Sequence, residues 1–432
     1  MRPRFHFTAE SGWINDPHGI TFRDGQYHVF YQYVPGQTVW GPNCHWGHAV
    51  GPDLLSLNEL PVAIAPGDGD DGIWTGSLVT DDDGRTVAFY TSTARPDIGI
   101  GRVRQASPAD ADWIEWSKGP FVADAPKDLD IIAYRDPFVR REGECWRMIV
   151  GAGLRDGTAT ALSYISTDLD HWTYSGIALQ RSTTETADVW MGALWECPQI
   201  FDLDGKAVMV SSVWDDDVLH YAGYAIGSYT DGVFHPETWG RLTYGDSYYA
   251  PSLFTDADGH PCLVFWMRGI GGAEQGWASA HSVPHRLSIQ GGRLVATPHP
   301  DVTARRSSQA GGASVQGLAA DILWNGDGVL TVASGGVDVV ALDRVGPSLS
   351  VRLGAEATPI PVSGEVRVVL DGPILEVSSA SGIFGARIEP EGDELTVTAT
   401  GAGPLRVHAL EAGPERDAEV GLTTGGTVVS RA

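Results

Sequence analysis

A turn glycine followed by an apolar, β-rich run recurs five times along the chain. Gly25 precedes Tyr27-His28-Val29-Phe30-Tyr31, and Gly84 precedes Thr86-Val87-Ala88-Phe89-Tyr90. Gly143 precedes Cys145-Trp146-Arg147-Met148-Ile149-Val150, Gly205 precedes Ala207-Val208-Met209-Val210, and Gly259 precedes Cys262-Leu263-Val264-Phe265-Trp266. Short apolar runs bounded by turn residues read as buried strands. The acidic residues ahead of the glycines, such as Asp24, Asp83 and Asp258, belong to hairpin turns. The glycines are spaced by 59, 59, 62 and 54 residues. A four-stranded propeller blade usually takes about 40–50 residues. Five longer units predict an all-β fold, a five-bladed β-propeller with elaborated loops.

The pattern changes toward the C-terminus. Of the 15 Trp, 13 Tyr and 12 Phe residues, only Trp324 and Phe384 fall after residue 306. The later runs are Val-, Gly- and Ala-rich and alternate, as in Val366-Arg367-Val368-Val369-Leu370 and Glu394-Leu395-Thr396-Val397-Thr398. They predict a C-terminal β-sandwich. The expected division is a propeller over 1–300 and a sandwich over 307–432, with Arg305 to Gly312 as the linker. Convincing amphipathic helices are absent.

Three carboxylates stand close to prolines, in Asp16-Pro17, Asp136-Pro137 and Glu196-Cys197-Pro198. Any one of them alone reads as a turn residue. The repeat changes that reading. Asp16 lies 9 residues before Gly25, Asp136 lies 7 before Gly143, and Glu196 lies 9 before Gly205. Each falls on the first strand of its unit, near the same end, and that strand lines the central channel of a propeller. Trp74-Thr75-Gly76-Ser77 and Tyr248-Tyr249 hold the matching phase in the other two units. Pointing several acids into one cavity is costly, so a binding or catalytic site explains the arrangement better than structure does. Aromatic abundance in the same part of the chain suits sugar binding, because sugar CH faces stack on rings.

Charge and motifs exclude other chemistries. The net charge of −26 argues against a nucleic-acid partner, which needs clustered Lys and Arg. No apolar run reaches the 18 residues of a membrane-spanning candidate. The stretch from Met1 to Gly12 is polar and leads straight into the first acidic motif, so no export signal is expected and the expected location is cytoplasmic. The cysteines, Cys44, Cys145, Cys197 and Cys262, are scattered, and free thiols rather than a zinc site are expected. Asp202-Leu203-Asp204-Gly205 and Asp256-Ala257-Asp258-Gly259 faintly resemble calcium loops. They lack the Glu at loop position 12, where Val213 and Met267 stand, and read as hairpins. His45 and His48 fall on opposite faces of a strand and read as structural. No metal and no cofactor are expected.

Trp13-Ile14-Asn15-Asp16-Pro17-His18-Gly19 resembles the first signature of glycoside hydrolase family 32, the invertases, inulinases and levanases. Arg135-Asp136-Pro137 and Glu196-Cys197-Pro198 are similar to two further family motifs. Phe30-Tyr31-Gln32-Tyr33, Trp40-Gly41, Trp46-Gly47-His48-Ala49 and Trp74-Thr75-Gly76-Ser77 fit in the same order. The resemblance covers roughly residues 5–300 and implies a propeller followed by a sandwich.

By that resemblance Asp16 is the nucleophile toward a fructosyl unit and Glu196 the acid/base, a retaining pair expected about 5–5.5 Å apart. Glu196 would have to begin protonated, which burial or a neighbouring negative charge favours. Asp136 would stay ionised, helped by Arg135, and hold fructose hydroxyls. Further implied substrate contacts are Asn15, Gln32, Trp40, Trp74, Thr75 and Trp266. The implied partner is sucrose or a short fructo-oligosaccharide, cleaved from its terminal fructose. The chain departs from the family pattern at His18, Val34, Leu55-Ser56-Leu57, Thr75 and Thr243, several of which are expected to border the pocket. The same residues would also serve a fructosyltransferase or intramolecular fructotransferase. A silent fructan-binding protein would lack a carboxylate. An inverting arabinan- or xylan-degrading propeller enzyme would lack these motifs.

Overall fold

The computed structural model describes residues 1–309, 314–401 and 403–411. Three four-stranded antiparallel sheets, and one nine-stranded sheet in which two more four-stranded blades are joined by a short strand, form the larger part, with inner strands Gly12–Arg23, Gly72–Thr80, Ile131–Glu142, Leu194–Leu203 and Tyr248–Thr255. These inner strands contact one another in order, and the fifth contacts the first, so the sheets are blades around one axis. The five-bladed propeller expected from the repeat is the observed architecture. The ring is closed by the short strand Trp277–His281. It pairs antiparallel with Pro261–Gly272 of the fifth blade and parallel with Gly12–Arg23 of the first, through Gly12↔Trp277 and Trp13↔Ala278.

The apolar runs of the repeat are the second strands of the blades. Gln26–Val34 is buried at every position after its first, and Thr86–Thr93 throughout. Blades stack face to face, so both faces of such a strand are covered and it reads as a continuous apolar run. The repeat glycines sit in the hairpins that lead into these strands, with φ of 81, 81, 59, 77 and 87°. A side chain would meet nothing within 4 Å at any of the five. Left-handed backbone geometry, not space, calls for glycine there. Asp24-Gly25 and Asp204-Gly205 both have positive φ at two successive residues, the geometry of a two-residue type I′ hairpin turn.

Two further sheets face each other across a core that includes Ile322, Trp324, Leu330, Val368, Leu370 and Val397. This is the C-terminal sandwich. Arg306–Gln309, expected within a linker, is instead a strand paired with Leu405–Leu410. Its Arg306 side chain bonds Asp321 at 2.7 Å, which anchors it to the sheet. The rest of that expected linker, residues 310–312, and the C-terminal residues 412–432 lie outside the described residues. Thr243–Tyr244, between the fourth and fifth blades, adds a parallel edge strand to the sandwich through Gly382–Arg387.

The N-terminal segment ties the two parts together. The backbone N–H groups of Arg4, Phe5 and His6 donate to Asp371 at 2.8, 2.7 and 3.1 Å. The His6 ring lies between Asp371 and Glu376 at 2.8 and 2.9 Å. Burial would lower the His6 pKa, but these two carboxylates outweigh it and push it up to about 9. Among the described residues, no helix is long and apolar enough to cross a membrane.

Candidate active site

Every inner strand breaks its pairing register near the axis. The breaks fall between Ile14 and Pro17, Trp74 and Gly76, Arg135 and Phe138, Glu196 and Gln199, and Tyr249 and Ser252. These are β-bulges, which bend a strand and re-aim side chains next to functional sites. In the last three blades the residue inside the bulge has positive φ and is followed by proline: Asp136 (66°), Cys197 (50°) and Ala250 (45°). A bulge leaves an N–H without a ladder partner, and proline has none to lose.

The freed N–H groups are taken by the preceding blade. Asp136 N donates to Thr91 Oγ1 at 2.8 Å, Cys197 N to Asp136 Oδ2 at 2.9 Å, and Ala250 N to Ser212 Oγ at 2.8 Å. The blades are thereby stapled to one another at the depth of the acids. This also refines the sequence phase. Asp16 and Asp136 sit within their register breaks, whereas Glu196 is the last paired residue before its own, in line with Trp74, Arg135 and Tyr249.

The three acids line one cavity of about 670 Å³, within the range of sugar-sized ligand sites. Asn15, Gln32, Trp40, Trp74, Arg135 and Trp266 line it as well. Thr75 does not. It lies beneath, in a narrow axial space of about 60 Å³. From there its hydroxyl donates to Asp16 Oδ2 at 2.5 Å and accepts from Gln32 Nε2, which also donates to Asp16 Oδ2 at 3.1 Å. Thr75 therefore buttresses Asp16 rather than walling the cavity, because the bulge turns it under the acid.

The other departures from the family pattern also stay clear of the cavity wall. His18 lines the narrow space below, its ring against Trp46 with centroids 4.1 Å apart. Val34 is fully buried, and Leu55 and Leu57 sit in apolar clusters.

The cavity is walled by rings. Trp13 and Trp266 meet edge to face at 5.7 Å between centroids, and Trp40 and Trp74 at 5.9 Å. Trp40 is 46% exposed and forms the rim. Four buried polar atoms on lining residues, Trp13 Nε1, Trp266 Nε1, Asn15 Oδ1 and Arg268 Nε, have no hydrogen-bond partner. Buried polar groups are normally satisfied. Three donors and an acceptor on the lining of one cavity fit a polyhydroxyl ligand.

Cys197 Sγ lies 3.7 Å from both Asp16 Oδ2 and Asp136 Oδ2, so one thiol joins the two carboxylates. Burial and the three acids hold this thiol well above its usual pKa, and it stays neutral. Glu196 takes different partners. Arg135 Nε donates to Oε1 at 3.0 Å and the Tyr249 hydroxyl to Oε2 at 2.5 Å.

Burial raises Asp16 to about 6, with the Glu196 charge adding and the Thr75 bond opposing. Burial raises Asp136 to about 8, although Arg135 opposes it. The sequence-based expectation of an ionised Asp136 held by Arg135 is therefore corrected. Arg135 directs its Nε–H to Glu196, and desolvation dominates at Asp136.

A stability prediction follows from these directions. The fold favours the protonated form of Asp136, whose ordinary value is 3.8. Stability is then fully present below that value and declines as pH rises toward about 8. Asp136→Asn should melt higher than the native protein at pH 8, by roughly 2–5 °C. The gap should close as pH falls toward 4. Asparagine tolerates the positive φ of this position. Differential scanning calorimetry at both pH values checks it, and a lower melting temperature at pH 8 refutes it.

The sequence-based reading missed Trp13, Trp214, Asp217, Leu219, Tyr249 and Arg268 as lining residues. Trp13 lay inside a quoted motif, and Tyr249 held the matching phase. Trp214, Asp217 and Leu219 lie in and beside the hairpin between Lys206–Asp215 and Val218–Thr230, whose approach to the axis left no local signal. For metals, two sets of side chains converge among the described residues: Asp256, Cys262 and His299, and Asp256, Asp258 and His260. Both sets lie outside the cavity lining and share Asp256, which Arg286 already approaches at 2.8 Å.

The family model for the N-terminal domain of glycosyl hydrolases family 32 matches residues 6–298. Sucrose-6-phosphate hydrolases of Zymomonas mobilis and Escherichia coli are 33% and 31% identical over 333 and 329 residues, 71% of this chain in each case. A Bacillus subtilis levanase is 31% identical over 345 residues, 71% of this chain and 48% of its own length. The chain covers 64% of the Zymomonas protein and 67% of the E. coli one. Among solved structures, a Bombyx mori β-fructofuranosidase superposes with a TM-score of 0.82 at 24% identity, covering 95% of this chain and 94% of its own. A fructan 1-exohydrolase from Cichorium intybus gives 0.80 at 22% identity, covering 95% of this chain and 97% of its own.

Proposed function

The chain belongs to glycoside hydrolase family 32, and from that premise we propose that it is a retaining β-fructofuranosidase releasing terminal fructose from sucrose or short fructo-oligosaccharides. The observation that carries this reading is the convergence of Asp16, Asp136 and Glu196 from three inner strands on one ring-walled cavity. In the proposed division, residues 1–300 are the domain that holds the whole site and 307–432 the region that contains the sandwich.

The chemistry uses these residues in two steps. An Asp16 oxygen attacks the anomeric carbon of the fructosyl unit while Glu196 gives a proton to the leaving oxygen. A fructosyl ester on Asp16 forms and the aglycone departs with that proton. Glu196, now a carboxylate, takes a proton from water, which attacks the same carbon and frees Asp16. Two displacements at one carbon retain its configuration. Thr75 and Gln32 fix the attacking carboxylate through hydrogen bonds to Oδ2. Arg135 and Tyr249 hold both oxygens of Glu196.

Asp136 faces the sugar hydroxyls. Burial, which raises its pKa to about 8, keeps it protonated near neutral pH. Hydroxyl groups donating to it favour its ionised form and release that proton inside the cavity that contains Glu196. The floor beneath Asp16 leaves only the narrow 60 Å³ space. A chain of sugars cannot thread through, which supports cleavage at the terminal unit.

The pH profile tests the assignment. Asp16 must be ionised to attack, so kcat/KM should rise as pH passes upward through about 6. Asp136 loses its own proton near about 8, which adds a negative charge beside the nucleophile, so activity should fall above it. The two limbs belong to the coupled group, and kcat/KM reports the free enzyme. A profile flat from pH 5 to 9 would contradict the scheme.

Specificity constants on sucrose, kestose and inulin, with sizing of the products, test the function itself. Free fructose, released faster from the short sugars, is the expected result. Products longer than the substrate would favour a fructosyltransferase, cyclic difructose an intramolecular fructotransferase, and no turnover by folded protein a silent fructan-binding protein. The relatives' names leave two leaving groups to consider, glucose from sucrose and glucose 6-phosphate from sucrose 6-phosphate.

A further inference from the structure

Resting on the fructosidase reading, we infer that the leaving-group side of this cavity accepts uncharged sugars and rejects a phosphorylated one. A phosphate monoester carries about −1.5 to −2 charges at neutral pH and needs cationic donors to leave water. The cavity lining holds four acidic side chains, Asp16, Asp136, Glu196 and Asp217, of which Asp136 keeps its proton near neutral pH, against two guanidinium groups, Arg135 and Arg268. No lysine lines it. The chain has three lysines, Lys118, Lys127 and Lys206. Lys118 pairs with Asp70 at 2.9 Å and Lys206 with Glu237 at 2.8 Å, both outside the cavity lining.

Neither arginine is disposed to take a phosphate. Arg135 pairs with Glu196 at 3.0 Å. Recruiting it to a phosphate would strip the proposed acid/base of its partner. Arg268 gives Nη1 to Leu219 O at 2.8 Å and Nη2 to His220 O at 3.4 Å, and its guanidinium lies 4.9 Å from the centroid of the Tyr249 ring. The fork that would grip a phosphate in two-point fashion is turned onto backbone carbonyls. Its Nε is buried without a partner, and a single buried N–H cannot offset a dianion.

Acidic charge stands at the same wall. Asp216 and Asp217 occupy the hairpin turn between Lys206–Asp215 and Val218–Thr230, with φ of 48 and 61°, and Asp217 lines the cavity. Asp215, Asp216 and Asp217 are consecutive. The same lining includes Trp40, Trp74, Ile132, Trp214 and Leu219. Rings and aliphatic groups fit the CH faces of a neutral sugar. A phosphate there would meet carboxylates in a partly desolvated space, where like charges repel strongly.

The test measures kcat/KM of the full chain on sucrose and on sucrose 6-phosphate, at low and high ionic strength. Sucrose should be favoured by about tenfold or more at low salt, and the ratio should narrow as salt screens the repulsion. Asp217→Asn keeps a residue that tolerates positive φ and should narrow the ratio severalfold, with folding checked by circular dichroism. Equal or faster cleavage of sucrose 6-phosphate by the native chain overturns the inference. A ratio unmoved by both salt and Asp217→Asn overturns the electrostatic cause given for it. Cleavage of neither sugar, by protein shown to be folded, overturns the fructosidase reading and this inference with it.

Discussion

Asp16→Asn should lower turnover of sucrose by about four to six orders of magnitude, the scale seen when a covalent nucleophile is removed. No neighbour is placed to substitute for it. Asp136 lies across Cys197, whose thiol is 3.7 Å from each acid, and Glu196 is occupied by Arg135 and Tyr249. The fold should not suffer. Asparagine keeps an oxygen for the Thr75 and Gln32 bonds and removes a charge that burial disfavours. The variant should therefore melt at or above the native temperature and still bind sucrose. Calorimetry, sucrose binding and a discontinuous fructose assay check all three points. Residual activity above a few per cent would remove Asp16 from the nucleophile role.

Glu196→Ala should lose about 10²–10⁴ in turnover of sucrose, the usual contribution of a general acid. On an aryl fructoside with a good leaving group the first step needs little acid assistance. A rapid burst of the aryl alcohol should then precede a slow steady rate, because water lacks its base. Azide, which needs no base, should accelerate that second step. The Arg135 and Tyr249 groups left behind face a cavity open to water, so the fold should survive. The absence of both burst and azide rescue in a folded variant would refute the acid/base role. Together the two variants separate the carboxylates by function, since Asp16→Asn should show neither effect.

The propeller was legible because its physics is local and repeated. Each hairpin needs a residue at positive φ, and each second strand needs apolar groups on both faces. Gly25, Gly84, Gly143, Gly205 and Gly259 with the runs after them carry both signals. The acids were legible as a set from their place ahead of those glycines. Arg306–Gln309 was not read as a strand, because its partner, Leu405–Leu410, is distant in sequence and a polar edge strand has no period of its own. The ring-closing strand Trp277–His281 escaped notice for the same reason. It is short, and it pairs with strands at both ends of the propeller.

The sequence by itself determined that this chain forms repeated four-stranded units, a second β-rich part, and three acids on channel-lining strands. Turn chemistry, strand period and motif spacing act over a few residues and are written in order along the chain. Tertiary structure alone decided how those acids differ. Bulges turned Thr75 beneath Asp16 and set Glu196 one residue out of line with the bulged acids. Arg135 thereby came to Glu196 rather than to Asp136, and burial raised Asp136 to about 8. It also brought Asp217 and Arg268 to the lining of the same cavity. Which charge faces which depends on distances across blades and on the water excluded between them, and neither quantity is carried by any local stretch of sequence.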